Sequence, residues 1–408
     1  MNTSTTQRTM YLTFFLCFLT ALLEGFDLQA AGIAAPGMKG EFALSPPMMG
    51  WFFSLGLVGL LPGALVGGWL ADRIGRRWIL IASVVLFGIF SFATAHAWSY
   101  GSLLVARFFT GLGLGAALPI LIALSSEAAT PQLRATAVSL TYCGVPLGGM
   151  LAAILGATEY GTDWRLIFYI GGVVPVLIAL TLWLWLPESQ EFKTQATQGR
   201  AEQGNGLTAL FNERRTTPTL LLWLACFFTL TVLYLLLNWL PTLLVGQGFS
   251  REQASIVQIL FNVGGALGSL LSGRLMDKER YVTAVVVAYL GMLLALAGLG
   301  SNGGMTVMLI AGFAAGLCAL AGQALLYALA PLLYPVNIRA TGVGVSVAVG
   351  RLGSISGPLA AGQILAAGAG ATGVLMAAAP GLVIASGAVL YLFSRRYAVI
   401  PAVPASSS

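Results

Sequence analysis

Two carboxylates, Glu24 and Asp27, stand three residues apart in the run Glu24-Gly25-Phe26-Asp27, inside an apolar stretch reaching from about Met10 to Ala35. On a helix that spacing puts both on one face. A carboxylate at the centre of a bilayer costs roughly 2.5–3.5 kcal/mol, so such residues persist where they face a protein interior or a water-filled chamber and find a partner. Two arginines, Arg107 and Arg351, stand in equally apolar stretches. The acids can take up and release a proton. The guanidinium, always charged, needs an anion and can grip a carboxylate with two parallel hydrogen bonds.

These groups must be carried by membrane helices. Of the 408 residues, 58% are hydrophobic and 8% charged, and the mean hydropathy is +0.88, against roughly 25% charge in soluble domains. Apolar runs long enough to span are expected near 10–34, 48–70, 78–97, 101–125, 135–158 and 166–186. Six more follow near 218–245, 252–275, 281–300, 304–331, 338–366 and 371–394. The fold expected is an all-α membrane protein of twelve transmembrane helices. They form two six-helix bundles, 1–190 and 218–408, joined by a polar cytoplasmic linker, 191–217. The first run exceeds the ~7–15 residues of a removable leader core and carries two acids, so it is read as a span.

The net charge is +6, which in a soluble protein would raise nucleic acid as a partner. Here the loops explain it. With both termini cytoplasmic, most Lys and Arg fall inside, among them Arg73, Arg76, Arg77, Arg134, Lys193, Arg200, Arg214, Arg215, Arg274, Lys278, Arg280, Arg339, Arg395 and Arg396. Lys39, Arg165 and Arg251 fall outside. The halves also echo each other. Gly68-Trp69-Leu70-Ala71-Asp72 recurs as Gly273-Arg274-Leu275-Met276-Asp277, Arg134-Ala135-Thr136 as Arg339-Ala340-Thr341, and Gly111-Leu112 as Gly316-Leu317, always 205 residues on. A constant offset argues duplication of a six-helix unit, and such parallel repeats place a substrate site near the midplane between them.

The segment Gly68 to Arg77, G-W-L-A-D-R-I-G-R-R, resembles the signature loop of the major facilitator superfamily. Arg107-Phe108-Phe109-Thr110-Gly111-Leu112-Gly113 is similar to its second motif, and Leu186-Pro187-Glu188-Ser189 ends the sixth run as in many of its uptake carriers. The acidic pair resembles the D-G-x-D motif of the aromatic acid:proton symporters, with Glu24 where that pattern has Asp. Gly350-Arg351-Leu352-Gly353-Ser354 also looks like this family. The run Glu24 to Ala35, with Tyr142-Cys143-Gly144-Val145-Pro146, is similar to its branch that takes up 3-hydroxyphenylpropionate. The resemblance implies uptake of an aromatic carboxylate with protons across a bacterial inner membrane.

Roles follow as expectations. Arg107 lies about six residues into its run and Glu24 about fourteen into its own, roughly 9 Å and 21 Å from opposite faces, hence at similar depth in a core of ~30 Å. Glu24 or Asp27 is expected to pair with Arg107, so that protonation loosens the pair; a static bridge between helices one and four is the alternative. Arg351 is expected to hold the substrate carboxylate, or else to bridge Glu24 or Asp27. Phe26, Tyr142, Asn238, Trp239, Gln258, Asn262, Gln323 and Tyr327 are candidates to face the ring, although polar residues in spans also serve helix contacts. Gly68, Asp72, Arg73, Gly75, Arg76 and Arg77, with Glu127, Arg134, Asp277 and Arg339, are read as a cytoplasmic latch. In it Asp72 meets a helix amino end in the other half and the arginines engage Glu127.

Other signals carry less. Gly111-Leu112-Gly113-Leu114-Gly115-Ala116 has the G-x-G-x-x-A pattern, but dinucleotide binding needs a strand before it; within an apolar run it reads as close helix packing. His96 is the only histidine, and Cys17, Cys143, Cys226 and Cys318 stand in separate runs without C-x-x-C spacing, so no metal site or cofactor is expected. The carrier is expected to work as a monomer. An efflux antiporter of the same fold is the second reading. A membrane sensor or enzyme would need a soluble domain or a catalytic cluster.

Overall fold

A computed structural model describes residues 3–129, 134–158, 163–189, 210–211, 215–278, 280–301, 303–334 and 338–394, without the side chains of 1–9, 134–136, 277 and 340. Most of the expected linker, with Lys193, Arg200 and Arg214, lies outside the described residues, as do Arg395 and Arg396. The described chain forms twelve helices: α1 Thr3–Glu41, α2 Pro46–Ile74, α3 Arg76–Ala95, α4 Tyr100–Ala128, α5 Arg134–Ala157, α6 Trp164–Trp185, α7 Thr216–Gly246, α8 Arg251–Asp277, α9 Tyr281–Gly300, α10 Met305–Leu333, α11 Arg339–Ala366 and α12 Gly370–Ser394. Each contains a segment long and apolar enough to cross a membrane.

Local chemistry sets several starts. Ser45 caps α2, with prolines in its first turn, where a missing N–H costs nothing. Ser99 with Ser102, and Ser250 with Gln253, form reciprocal capping pairs at α4 and α8. The first helix runs past the expected end near 34, through Pro36, to Glu41. There Trp164 Nε1 donates to Glu41 at 2.8 Å and Arg165 grips the same carboxylate, which ties the end of α1 to the start of α6.

The 205-residue offset is a property of the packing as well as of the sequence. A Cβ on Gly111 of α4 would run into the Gly56 carbonyl of α2, and one on Gly316 of α10 into the Phe261 carbonyl of α8. Likewise Gly148 of α5 abuts the Leu22 carbonyl of α1, and Gly353 of α11 the Phe227 carbonyl of α7. Each second pair is the first displaced by 205 in both members. Backbones that approach this closely exclude any side chain, so small residues recur at matching crossings.

The first and second groups of six meet at one end. Pro46 approaches Gly362, Gly50 approaches Pro358, and Ser54 Oγ donates to the Ile355 carbonyl at 2.8 Å, all along α2 and α11. Phe53 meets Trp239 edge-on with centroids 5.1 Å apart. Gly32 of α1 lies against the Asn238 backbone of α7, and Gly156 of α5 against Ser255 of α8. Among the described residues, these contacts between the two groups gather at the end carrying the α1–α2 loop, which they seal.

Candidate functional site

The rotation of α1 decides which group each of its polar residues meets. Two residues turn a helix by about 200°, three by about 300°. Asp27 points into the first six helices, where Arg107 Nη1 of α4 donates to Oδ1 at 2.8 Å; the side chains are 0% and 4% exposed. The guanidinium carbon stands 5.8 Å from the Phe52 ring and 5.9 Å from the Phe168 ring, two faces that add cation–π attraction in a dry setting. The expected pairing of Glu24 or Asp27 with Arg107 thus goes to Asp27. The other carboxylate oxygen, Oδ2, points toward Gly171 of α6. A Cβ there would meet it at 3.4 Å and the Ser91 hydroxyl of α3 at 2.9 Å. Oδ2, Ser91 Oγ and Arg107 Nε are buried without hydrogen-bond partners among the described residues. Ser91 was not among the sequence candidates; an isolated hydroxyl in an apolar run carries no signal of its neighbours.

Glu24, one turn earlier, turns toward the second six helices. It is 2% exposed and its Oε2 has no hydrogen-bond partner among the described residues. Across the boundary stands Arg351 of α11, which interacts electrostatically with Glu24, Tyr142 of α5, Tyr234 of α7 and Tyr327 of α10. Arg351 Nη1 donates to the Tyr234 hydroxyl at 2.7 Å. Gln323 Nε2 donates to the Tyr327 hydroxyl at 3.3 Å. One acid, one guanidinium and three phenols from five helices thus lie within electrostatic reach of one another at the boundary between the halves. Tyr234 was also missed from sequence, because it sits in an aromatic- and leucine-rich run that reads as plain core.

Several of the residues expected to face the ring have protein partners of their own. Phe26, two positions from Glu24, faces away, with its ring against Gly171 of α6; residues two apart on a helix cannot share a face. Asn238 donates to the Tyr234 carbonyl and Trp239 to the Pro358 carbonyl, at 2.8 and 3.1 Å, and both lie at the sealed end. Asn262 and Gln258 of α8 form hydrogen bonds with Gln29 of α1 between the halves. All four belong to the contact that closes that end.

The loop between α2 and α3 engages its own half. Arg76 pairs with Glu127 at the end of α4, which also accepts from Ser189. Arg73 stacks on Trp69 at 3.9 Å. Arg77 donates through its backbone to Glu188 at 3.1 Å and through its guanidinium to the Trp183 carbonyl. Gly75 takes φ +118°, open to glycine, and Glu188 occupies the place of a Cβ. Gly68 has open space around it. Asp72 is exposed; among the described residues it has no contact with a helix amino end of the other half. Arg339 Nε donates to the Tyr334 carbonyl at 3.3 Å. The Arg134 and Asp277 side chains are outside those described.

Two parallel groups of six helices sealed at one end, with buried charges at the boundary, are the architecture of a carrier. The family comparison decides it: the chain matches the Major Facilitator Superfamily over residues 17–302 and 248–408. The chain belongs to this superfamily. It is 56% identical to the 3-(3-hydroxy-phenyl)propionate transporter of Escherichia coli over 98% of both chains. It is 36% identical to a 4-hydroxybenzoate transporter of Pseudomonas putida over 86% of both. Solved superfamily structures share the fold: a bacterial homologue of the lysosomal transporter Spinster, inward-facing and occupied, has a TM-score of 0.76 at 19% identity, covering 96% of this chain and 99% of that one. The inward-open xylose transporter of Escherichia coli has a TM-score of 0.74 at 16% identity, covering 98% of both. As a superfamily member with twelve spanning helices, the protein is a multi-pass membrane transporter and not an enzyme.

Proposed function

We propose that this transporter imports an aromatic carboxylate with protons across the bacterial inner membrane, and that its substrate is 3-(3-hydroxyphenyl)propionate. The observation that carries the proposal is Arg351 facing Glu24 among Tyr142, Tyr234 and Tyr327 between the halves. The guanidinium takes the carboxylate, the phenols and the amide of Gln323 line the ring, and Glu24 exchanges the proton. Asp27 and Arg107, buried together in one half, keep α1 and α4 moving as a unit. The relative carrying a phenylpropionate at 56% identity supports the choice of substrate.

The concentration of basic residues on the loops of one face supports both termini being cytoplasmic. In that orientation the sealed end is the outer one and the structure is open inward. The latch residues Arg73, Arg76 and Arg77 then release the second half while they hold their own. A carrier with its site between its own halves works as a monomer. The test is uptake of labelled 3-(3-hydroxyphenyl)propionate into vesicles bearing the protein. Accumulation that follows an imposed pH gradient and vanishes with a protonophore is expected; uptake indifferent to the protonophore overturns the coupling.

Uptake of a hydroxybenzoate is the second reading, favoured by the 36% identity to a 4-hydroxybenzoate carrier. Competition between the two acids separates them. Proton-driven efflux is the third, and counterflow under opposite pH gradients excludes or establishes it; the cationic Arg351 in the chamber speaks for an anionic substrate and against cationic drugs.

A further inference from the structure

We infer that Tyr234 is a positioning residue for the substrate carboxylate: its hydroxyl holds Arg351 through Nη1 and leaves the Nε–Nη2 edge as the fork that grips the anion. The inference rests on the proposed transport of an aromatic acid and goes beyond it by assigning the geometry of the grip.

A guanidinium has five N–H donors and no acceptor. In Arg351 one nitrogen is committed: Nη1 donates to the Tyr234 oxygen at 2.7 Å. Among the described residues none accepts from Nε or Nη2, and neither atom is buried without a partner. Both therefore keep accessible surface at this boundary. Nε–H and one N–H of Nη2 lie parallel, the spacing that a planar carboxylate accepts with its two oxygens. The nearby acid, Glu24, acts on Arg351 at longer range and forms no ion pair with it among the described residues.

Tyr234 is suited to hold rather than to bind. Tyr234 is 6% exposed and packed in the hydrophobic core. Its ring centroid lies 5.9 Å from the Arg351 guanidinium carbon, so the ring adds some cation–π attraction to the hydrogen bond. The phenol is a neutral acceptor, so it orients the cation without cancelling the charge that the substrate must meet. An arginine fixed before the ligand arrives loses less freedom on binding. The backbone carbonyl of Tyr234 also accepts from Asn238 at 2.8 Å, one turn on toward the sealed end, so the residue is anchored on both sides.

The experiment uses the purified full chain in proteoliposomes, with 3-phenylpropionate and its tetrahedral analogue 2-phenylethanesulfonate as probes. Tyr234→Phe keeps the ring and removes the acceptor. Its KM for the carboxylate is expected to rise roughly tenfold, the worth of a hydrogen bond to a charged group, with Vmax little changed. The preference for the planar carboxylate over the sulfonate should fall with it. Because both residues act through one fork, Tyr234→Phe added to Arg351→Lys should cost little beyond Arg351→Lys alone. Tyr234→His, which restores an acceptor, should recover part of the loss and covers the case in which the phenylalanine variant folds poorly. An unchanged KM in Tyr234→Phe, or effects that simply multiply in the double variant, overturns the assignment. Failure of the parent protein to take up any aromatic acid overturns the substrate proposal instead, and is seen before any variant is compared.

Discussion

Gln29 of α1 and Asn262 of α8 exchange two hydrogen bonds, Gln29 Nε2 to Asn262 Oδ1 at 2.7 Å and Asn262 Nδ2 to Gln29 Oε1 at 2.8 Å, across the boundary between the two halves. Gln258 Nε2 adds a third to the same Gln29 oxygen at 2.8 Å. All three side chains are buried. The clamp is made of neutral amides, so its strength is independent of pH. Gln29→Ala removes all three bonds. At about 0.5–1.5 kcal/mol net for each, opening of the sealed end should become easier by roughly 1.5–4.5 kcal/mol, a factor of about 10–2,000. A cysteine placed at Ser54, beside the seal, should then react faster with an impermeant thiol reagent. Equal labelling rates with and without the substitution would show that the clamp does not hold this end.

The proposed symport assigns the proton to Glu24, which makes it testable. Glu24→Gln keeps the side chain's size and removes its titration. Accumulation driven by a pH gradient, worth about tenfold per pH unit for a monoanion moved with one proton, should collapse to a ratio near one. Exchange of labelled for unlabelled substrate should persist, because it needs no net proton movement. In the parent protein, uptake should fall as the outer pH is raised. A Glu24→Gln variant that still concentrates substrate, sensitive to a protonophore, would remove this residue from the coupling.

The Asp27–Arg107 pair predicts a stability effect. Removing one member leaves a buried charge uncompensated, at about 3–5 kcal/mol. Arg107→Ala should therefore lower the melting temperature of the solubilised protein sharply. Asp27→Asn with Arg107→Gln should lower it less than the two single losses together, since neither charge is then left alone. Melting temperatures of the single and double variants check this. Strict additivity would mean that the pair does not act as a unit.

Gly25, between the two acids, predicts a packing effect. A Cβ there would run into the Val145 backbone of α5. Gly25→Ala should force α1 and α5 apart, at a cost of about 1–3 kcal/mol or more, and reduce the yield of folded carrier in the membrane. Because the same shift turns Glu24 relative to Arg351, any protein that does fold should transport poorly. Normal yield and normal uptake together would show that the helices part without consequence.

Much of the architecture was legible in the chain itself. Twelve apolar runs, the polar interval after the sixth and the offset of 205 residues are local or strictly periodic features, and a bilayer allows few ways to use them. The buried charges were visible too: Glu24, Asp27, Arg107 and Arg351 are the wrong residues for lipid, whatever surrounds them. Tertiary structure alone decided which way each one faces. The first helix is apolar nearly all round, so its pattern does not mark an inner face. Its rotation is set by the close approach of Gly25 and Gly148 in the α1–α5 crossing. That rotation sends Asp27 to Arg107 within one half, Glu24 toward Arg351 in the other, and Phe26 to neither. It also makes Tyr234 the partner of Arg351, 117 residues away in the chain, and turns Asn262 into half of a clamp. Such pairings depend on how whole helices pack side by side, and no spacing within a single helix encodes them.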